Sequence, residues 1–249
     1  MSRLAHIVRH PIKSVGYEEI ESASLTKGRA LPFDRHWAIA HEAASFGAQP
    51  TQWASKRNFV RGAAGHPLMA IRAQTDTKSG TVTLTHPQAQ PVTLDPLAQA
   101  DQLIDWIRPF WPDTRPAPAS VVHLPDQPFG DMPDPFVSLL SLSSLRALSH
   151  RSGADLSIHR FRGNLWAEDW PPFHEFDLIG KTLRIGGAQL RVVARITRCQ
   201  ATTVNPNTGR SDVDTLGALN RAYDHQDFGV FALITQSGPI ARNDAIEVL

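Results

Sequence analysis

Short runs of alternating apolar and polar residues, broken by prolines and glycines, dominate this chain. Residues 4–8 are apolar or β-branched for the most part and halt at His10-Pro11, which reads as a strand and its stop. Residues 18–25 alternate through Ile20, Ala23 and Leu25 and end at Lys27-Gly28, a strand and a turn. Residues 36–40, 68–73 and 81–85 read as further strands, and 91–94 as an edge strand. In the first half the clear helical spacing lies at 96–111. There Leu97, Leu103, Ile104 and Ile107 recur on one face, Pro96 suits a helix start, and Pro109 and Pro112 stop it.

A proline-rich stretch at 112–118 follows, which sets the expected domain boundary: residues 1–112 and residues 113–249. Beyond it, 121–124 and 136–140 look like buried strands, and Ser141 is placed to cap a helix carrying Leu142, Leu145 and Leu148. Residues 182–185 and 190–196 form a hairpin pattern around Gly186-Gly187, 215–223 is helical, and 229–235 and 245–249 close the chain as strands. Strands outnumber helices and do not alternate with them regularly. The expected fold is therefore α+β and β-rich, with barrel-like sheets and peripheral helices, not a doubly wound sheet.

Composition narrows the function classes. With 249 residues, 20% charged residues and a formal net charge of +1, the chain has no basic run to suggest nucleic acid as a partner. A local cation cluster stays open, because net charge says nothing about placement. A single cysteine excludes an intrachain disulfide and an in-chain iron–sulfur cluster held by four thiolates. No apolar run reaches membrane-spanning length, and the first residues lack the apolar core of a secretion signal. These features lead to the expectation of a soluble, cytoplasmic protein with no membrane association.

Several residues have chemistry to offer. Cys199 follows an apolar strand and Arg198, and a neighbouring cation favours the thiolate, a soft ligand for a transition metal. Cysteine is also among the most often buried residues, so an inert structural thiol is the competing reading. In Arg160-Phe-Arg-Gly-Asn164 two arginines would share one face of an extended segment, a geometry suited to phosphate, although such arginines are commonly just solvated. Lys13 and Ser14 lie on a bend after the first strand, and Asp34-Arg35 resembles an ordinary surface ion pair. No HExxH, no zinc-finger spacing and no phosphate- or dinucleotide-binding glycine motif occurs.

Taken in order, several segments resemble the MOSC family, named for the C-terminal domain of molybdenum cofactor sulfurase. They are HPIKS at 10–14, FDRHW at 33–37, SLLSLSSLRAL at 138–148, RFRGN at 160–164, EFDLIGKTLRIG at 175–186, RCQATTVNPNTGRSD at 198–212 and DFGVFALI at 227–234. The resemblance runs over nearly the whole chain and implies a family N-terminal β-barrel domain followed by a MOSC domain. It also implies a molybdenum–molybdopterin cofactor between the two, with Cys199 as metal ligand and catalytic centre. Lys13, Ser14 and Arg35 would reach the pterin or its phosphate from the first domain, and Arg162, Asn164, Thr197 and Arg198 from the second. Gly229 would let a strand pass close to the cofactor.

The family includes amidoxime-reducing members that reduce N-hydroxylated small molecules. The resemblance therefore implies a molybdenum-dependent oxidoreductase supplied with electrons by a separate protein of ferredoxin or cytochrome type. A non-enzymatic carrier of molybdopterin or sulfur is the alternative, and a cofactor-free interaction module a third reading. The fused ferredoxin and pyridoxal-phosphate domains of some relatives are not expected. The sequence departs from the amidoxime-reducing pattern at Asn205 and Asn207, where acidic residues are common, at Pro133-Asp134, and at Phe231, which stands for an aromatic hydroxyl. The loss of acid at 205 and 207 implies a weaker preference for cationic substrates.

Overall fold

The structure, a computed structural model, describes residues 2–249. Its largest sheet has eight strands. In chain order these are β1 (Arg3–Arg9), β2 (Glu18–Ile20), β9 (Val137–Ser141), β10 (Leu165–Glu168), β11 (Thr182–Ile185), β12 (Ala188–Thr197), β13 (Asp227–Gln236) and β15 (Ile246–Val248). Their spatial order is β15-β11-β12-β13-β9-β10-β1-β2. At β1 the sheet curls back on itself: Arg3 bridges Ala245, Leu4 N donates to Asp244 O at 2.9 Å, and Asn243 N donates to Leu4 O at 2.7 Å. In β12, Ala188, Leu190 and Val192 turn inward while Gln189 and Arg191 turn out, the two-residue period of a half-buried strand. These inward residues meet Leu4, Ile7, Leu139, Leu165, Val230 and Ala232 in one apolar core.

A second core lies over the sheets made by the intervening chain. β4 (Trp37–His41) pairs with β8 (Pro118–His123), and β5 (Arg72–Asp76), β6 (Thr81–His86) and β7 (Ala89–Leu94) form a meander. Helix α1 (Ala100–Ile107) packs Leu103, Ile104 and Ile107 against Val82, Leu84 and Leu94. Helices α2 (Leu142–Ser152) and α3 (Thr215–Tyr223) cover the large sheet from one side, with Leu145, Leu148 and Leu219 on Trp166 and Phe228. Ser141 caps α2 as expected, its hydroxyl accepting from Ser144 N at 3.4 Å. The remaining pair, β3 (Ser22–Leu25) and β14 (Gly238–Ala241), is antiparallel. No helix among the described residues is long and apolar enough to cross a membrane.

Some local expectations give way to tertiary context. The apolar run at 68–73 is not one strand: Pro67 opens a 3-10 turn, His66–Ala70, and β5 starts only at Arg72. A short, fully buried apolar run has no periodicity to distinguish turn from strand. The helix expected at 96–111 begins at Ala100, because Asp95 Oδ1 accepts from Leu97 N and Ala98 N and holds a turn there. Leu97 is consequently 42% exposed. The single strand expected at 18–25 divides at Glu21 into β2 and β3, which join different sheets. β10 carries no alternation, because Leu165, Trp166 and Ala167 are all buried, and it pairs in parallel with β9.

Strand pairing crosses the boundary expected at Pro112 in both directions. β1 lies between β10 and β2 in the large sheet, and β8 pairs with β4. The first strand is thus part of the core built by the last half of the chain. Ile7→Ala removes a fully buried side chain from that core and is expected to lower stability by about 2–5 kcal/mol. Urea unfolding measures this, and an unchanged midpoint would exclude a role for β1 in the core.

Candidate functional site

Between the two cores lies a cavity of about 240 Å³. Lys13 and Ser14 reach it from the bend after β1, and Arg35 from the turn before β4. Arg162 and Asn164 reach it from the segment between the 3-10 turn Ile158–Phe161 and β10, and Thr197, Arg198 and Cys199 from the end of β12. All eight of these residues, separated by up to most of the chain, line the same cavity.

The backbone is unusual at three of them. Ser14 (φ 63°), Arg35 (φ 49°) and Arg162 (φ 46°) all occupy the left-handed region. For a residue with a side chain this costs roughly 1–2 kcal/mol each, so the fold must hold it. It does so through main-chain bonds: Val15 N to Ile12 O at 3.0 Å, Arg35 N to His10 O at 2.6 Å, and Phe129 N to Arg35 O at 2.9 Å. Such strain concentrates where side chains must be aimed.

The three arginines lace the walls together. Arg162 donates to Gly16 O at 3.1 Å and Ile12 O at 3.4 Å, while its own carbonyl accepts from Arg35 Nη2 at 2.8 Å. Arg198 donates to Phe161 O at 2.8 Å and, through Nε, to Phe228 O at 2.7 Å. Burial, with the Arg35 charge nearby, lowers the Arg162 pKa to about 9. Burial lowers Arg198 to about 9 as well. Both guanidiniums remain charged at neutral pH and have lost much of their water. Lys13 is buried, which pulls its pKa down, and its Nζ donates to Asp131 Oδ1 at 2.7 Å and Phe129 O at 2.8 Å.

Asp34 and Arg35 are not the surface pair expected from sequence. Asp34 is buried, accepts from His10 N at 2.8 Å, and takes a further bond from Arg35 Nη1. Burial raises its pKa, but Arg35 and His10 outweigh that and hold the carboxyl below the usual range. Burial in turn keeps His10 neutral. Nor do Arg160 and Arg162 lie on an extended segment. The segment is a 3-10 turn ending in a left-handed residue; both arginines line the cavity, but Arg160 is engaged in a bidentate pair with Asp212 at 2.7 and 2.8 Å.

Cys199 is exposed, which removes the reading of an inert buried thiol. Asn164 is buried; its Oδ1 accepts from Ser138 N at 3.1 Å and Ser138 Oγ at 2.9 Å, and its Nδ2 donates to Val8 O at 3.2 Å. Its amide therefore fastens β9 to β1 beside the cavity. Thr197 Oγ1 donates to Asp227 Oδ1 at 2.7 Å. Gly229 (φ 78°) sits behind the wall: a Cβ there would lie 2.6 Å from Leu140 Cγ and 3.3 Å from Arg198 Nη2. The close approach it permits is to Leu140 and to the Arg198 guanidinium.

Asn205 and Asn207 do not line the cavity. Asn205 Nδ2 donates to Asp212 at 2.8 Å and Asn207 Oδ1 accepts from Arg72 at 3.2 Å. Besides the motif residues and Asp134, the cavity is lined by charges whose sequence context carried no signal: Lys56, Arg61 and Asp131. Each reads locally as a solvated charge. Phe231 lines the cavity and stacks on Phe136, centroids 4.9 Å apart.

Residues 1–106 match the MOSC N-terminal beta barrel domain and residues 126–247 match the MOSC domain. The chain belongs to the MOSC family, as its β-rich fold and these two matches establish. A molybdenum cofactor sulfurase from Drosophila erecta is 33% identical over 106 residues, which are 42% of this chain and 13% of that protein. This chain thus spans a small part of the length of the sulfurases it matches. Mitochondrial amidoxime-reducing component 1 from Xenopus laevis is 24% identical over an alignment covering 98% of this chain and 81% of that protein. The solved structure of the YUAD protein from Bacillus subtilis aligns over 100% of this chain and 96% of that one, at 13% identity and a TM-score of 0.49.

Glu175 is fully buried within reach of the Arg198 charge; its Oε2 accepts from Ser144 Oγ at 2.9 Å, and its Oε1 has no partner among the described residues. Burial raises its pKa from 4.5 to about 7. As pH rises above 4.5 the unfolded chain loses this proton first, so folded stability falls until about pH 7 and then stays reduced. Glu175→Gln is expected to stabilise the protein above pH 7, by on the order of 3 kcal/mol, with the gain vanishing below pH 4.5. Denaturant midpoints measured across that range check it.

Proposed function

We propose that this cavity binds a molybdenum–pterin cofactor and that the protein reduces N-hydroxylated small molecules there. One observation carries the reading: the single, exposed thiol and the Lys13, Arg35 and Arg162 cations line the same cavity. The donor set fits the group. Cys199 is the soft ligand suited to the metal. The three cations suit a phosphate, and their partial desolvation strengthens each contact. The names of the relatives, a molybdenum cofactor sulfurase and an amidoxime-reducing component, support the same assignment.

The residues divide the work. Arg35 and Arg162 orient the anionic end of the cofactor, held by their left-handed backbone and carbonyl partners. Lys13 adds charge from the bend after β1. Asn164 and Gly229 keep the strands behind Arg162 and Arg198 in register. Bound molybdenum would supply the redox chemistry: the N–O bond breaks, two electrons and two protons are taken up, and water leaves. The electrons would come from a separate ferredoxin- or cytochrome-type protein. A carrier of molybdopterin or sulfur would use the same cavity without turnover.

Cys199→Ser, purified from a host that makes the cofactor, is expected to lose molybdenum while keeping its fold; undiminished molybdenum would overturn the metal assignment. Arg162→Lys keeps the charge but loses the planar fork, and is expected to lower the pterin retained per chain. With reduced viologen as donor, the metal-loaded wild type is expected to turn over N-hydroxylated amidines or purines. Absence of turnover across N-hydroxy, N-oxide and S-oxide compounds would favour the carrier.

A further inference from the structure

The cations lining the cavity differ in what already satisfies them. Lys13 and Lys56 both reach Asp131, at 2.7 and 3.3 Å. Arg35 and Arg160 pair with Asp34 and Asp212, and Arg162 and Arg198 donate to main-chain carbonyls. Arg61 is the exception: it lines the cavity, is half-buried, and its guanidinium has no hydrogen-bond or ion-pair partner among the described residues.

Its backbone is nevertheless well held. Phe59 bridges Ala40, Val60 N donates to Ile39 O at 2.9 Å, and Arg61 O accepts from Ala64 N at 3.0 Å and Gly65 N at 2.9 Å. The next residue, Gly62, packs so closely on Met69 that a Cβ would lie 2.5 Å from its sulfur, and 4.0 Å from Ala201 Cβ. This turn therefore abuts the 3-10 turn Gln200–Thr203 directly after Cys199. A rigid turn from the first core, set against the segment after Cys199, thus carries the unpaired Arg61 into the wall of the cavity.

We infer that Arg61 holds an oxoanion of the cavity's ligand, and that this oxoanion is a carboxylate on the substrate. A guanidinium matches a carboxylate in bidentate geometry, and it loses least by desolvation when such a partner arrives. The same chemistry would serve a cofactor phosphate, but the turn that carries Arg61 abuts the segment directly after Cys199, and the stacked Phe136 and Phe231 also line the cavity. A planar aromatic carboxylate satisfies both features. The assignment of a substrate rests on the proposed reductase reading, which fails separately if Cys199→Ser keeps its molybdenum.

The test is calorimetric titration of the protein, purified from a cofactor-competent host, with benzoate and with its neutral counterpart benzamide. Wild type is expected to favour benzoate by at least about tenfold, the factor that 1.4 kcal/mol represents. Arg61→Gln is expected to erase that gap with the melting temperature and bound molybdenum and phosphate unchanged, and Arg61→Lys to keep part of it. No preference in wild type, or a preference that survives in Arg61→Gln, overturns the inference. Loss of molybdenum and phosphate from Arg61→Gln assigns the same contact to the cofactor and overturns the substrate carboxylate.

Discussion

The contact on which the site depends is the one between Arg162 and the bend at residues 12–16. A guanidinium from the segment before β10 donates to the carbonyls of Ile12 and Gly16, and the carbonyl of the same residue accepts from Arg35. These bonds link the bend after β1, the turn before β4 and the segment before β10. Each bond is charge-assisted and partly shielded from water, which makes it stronger than a solvated counterpart. The cavity is the space these links leave open.

The cost of the arrangement is visible in the backbone. Ser14, Arg35 and Arg162 adopt a conformation that L-residues avoid, and like charges are gathered with little water to screen them. Asp34 and Asp131 offset part of that repulsion, Asp34 beneath Arg35 and Asp131 between Lys13 and Lys56. The residual positive character is what an anionic ligand would neutralise. Association of such a ligand with the native chain alone would raise the stability of the fold.

Entry of β1 into the large sheet explains why the site cannot be divided between two independent halves. Residues 3–9 pair with β10, and the bend at Lys13 and Ser14 follows at once. Packing of Ile7 into the sheet core therefore also fixes where Lys13 emerges. In the same way β8 returns to pair with β4 and leads into the loop that carries Asp131. Connections that cross between the cores place charges from remote segments opposite one another.

Much of this was legible in the residues alone. Two-residue alternation marked β6, the hairpin pattern around Gly186-Gly187 marked β11 and β12, the Ser141 cap marked α2, and the ordered motifs from His10 to Asp212 carried the family resemblance and about half of the cavity's lining. Each is a local property, written in residues close together along the chain. The exposure of Cys199, the burial of Asp34, the different partners of Arg160 and Arg162, and the entry of Lys56, Arg61 and Asp131 into the cavity were not legible. A charge in a loop has the same local sequence whether it faces water or a cleft. Its surroundings are set by strands paired across more than a hundred positions, as β1 is with β10, so only the tertiary structure decides which charges lose their water and meet.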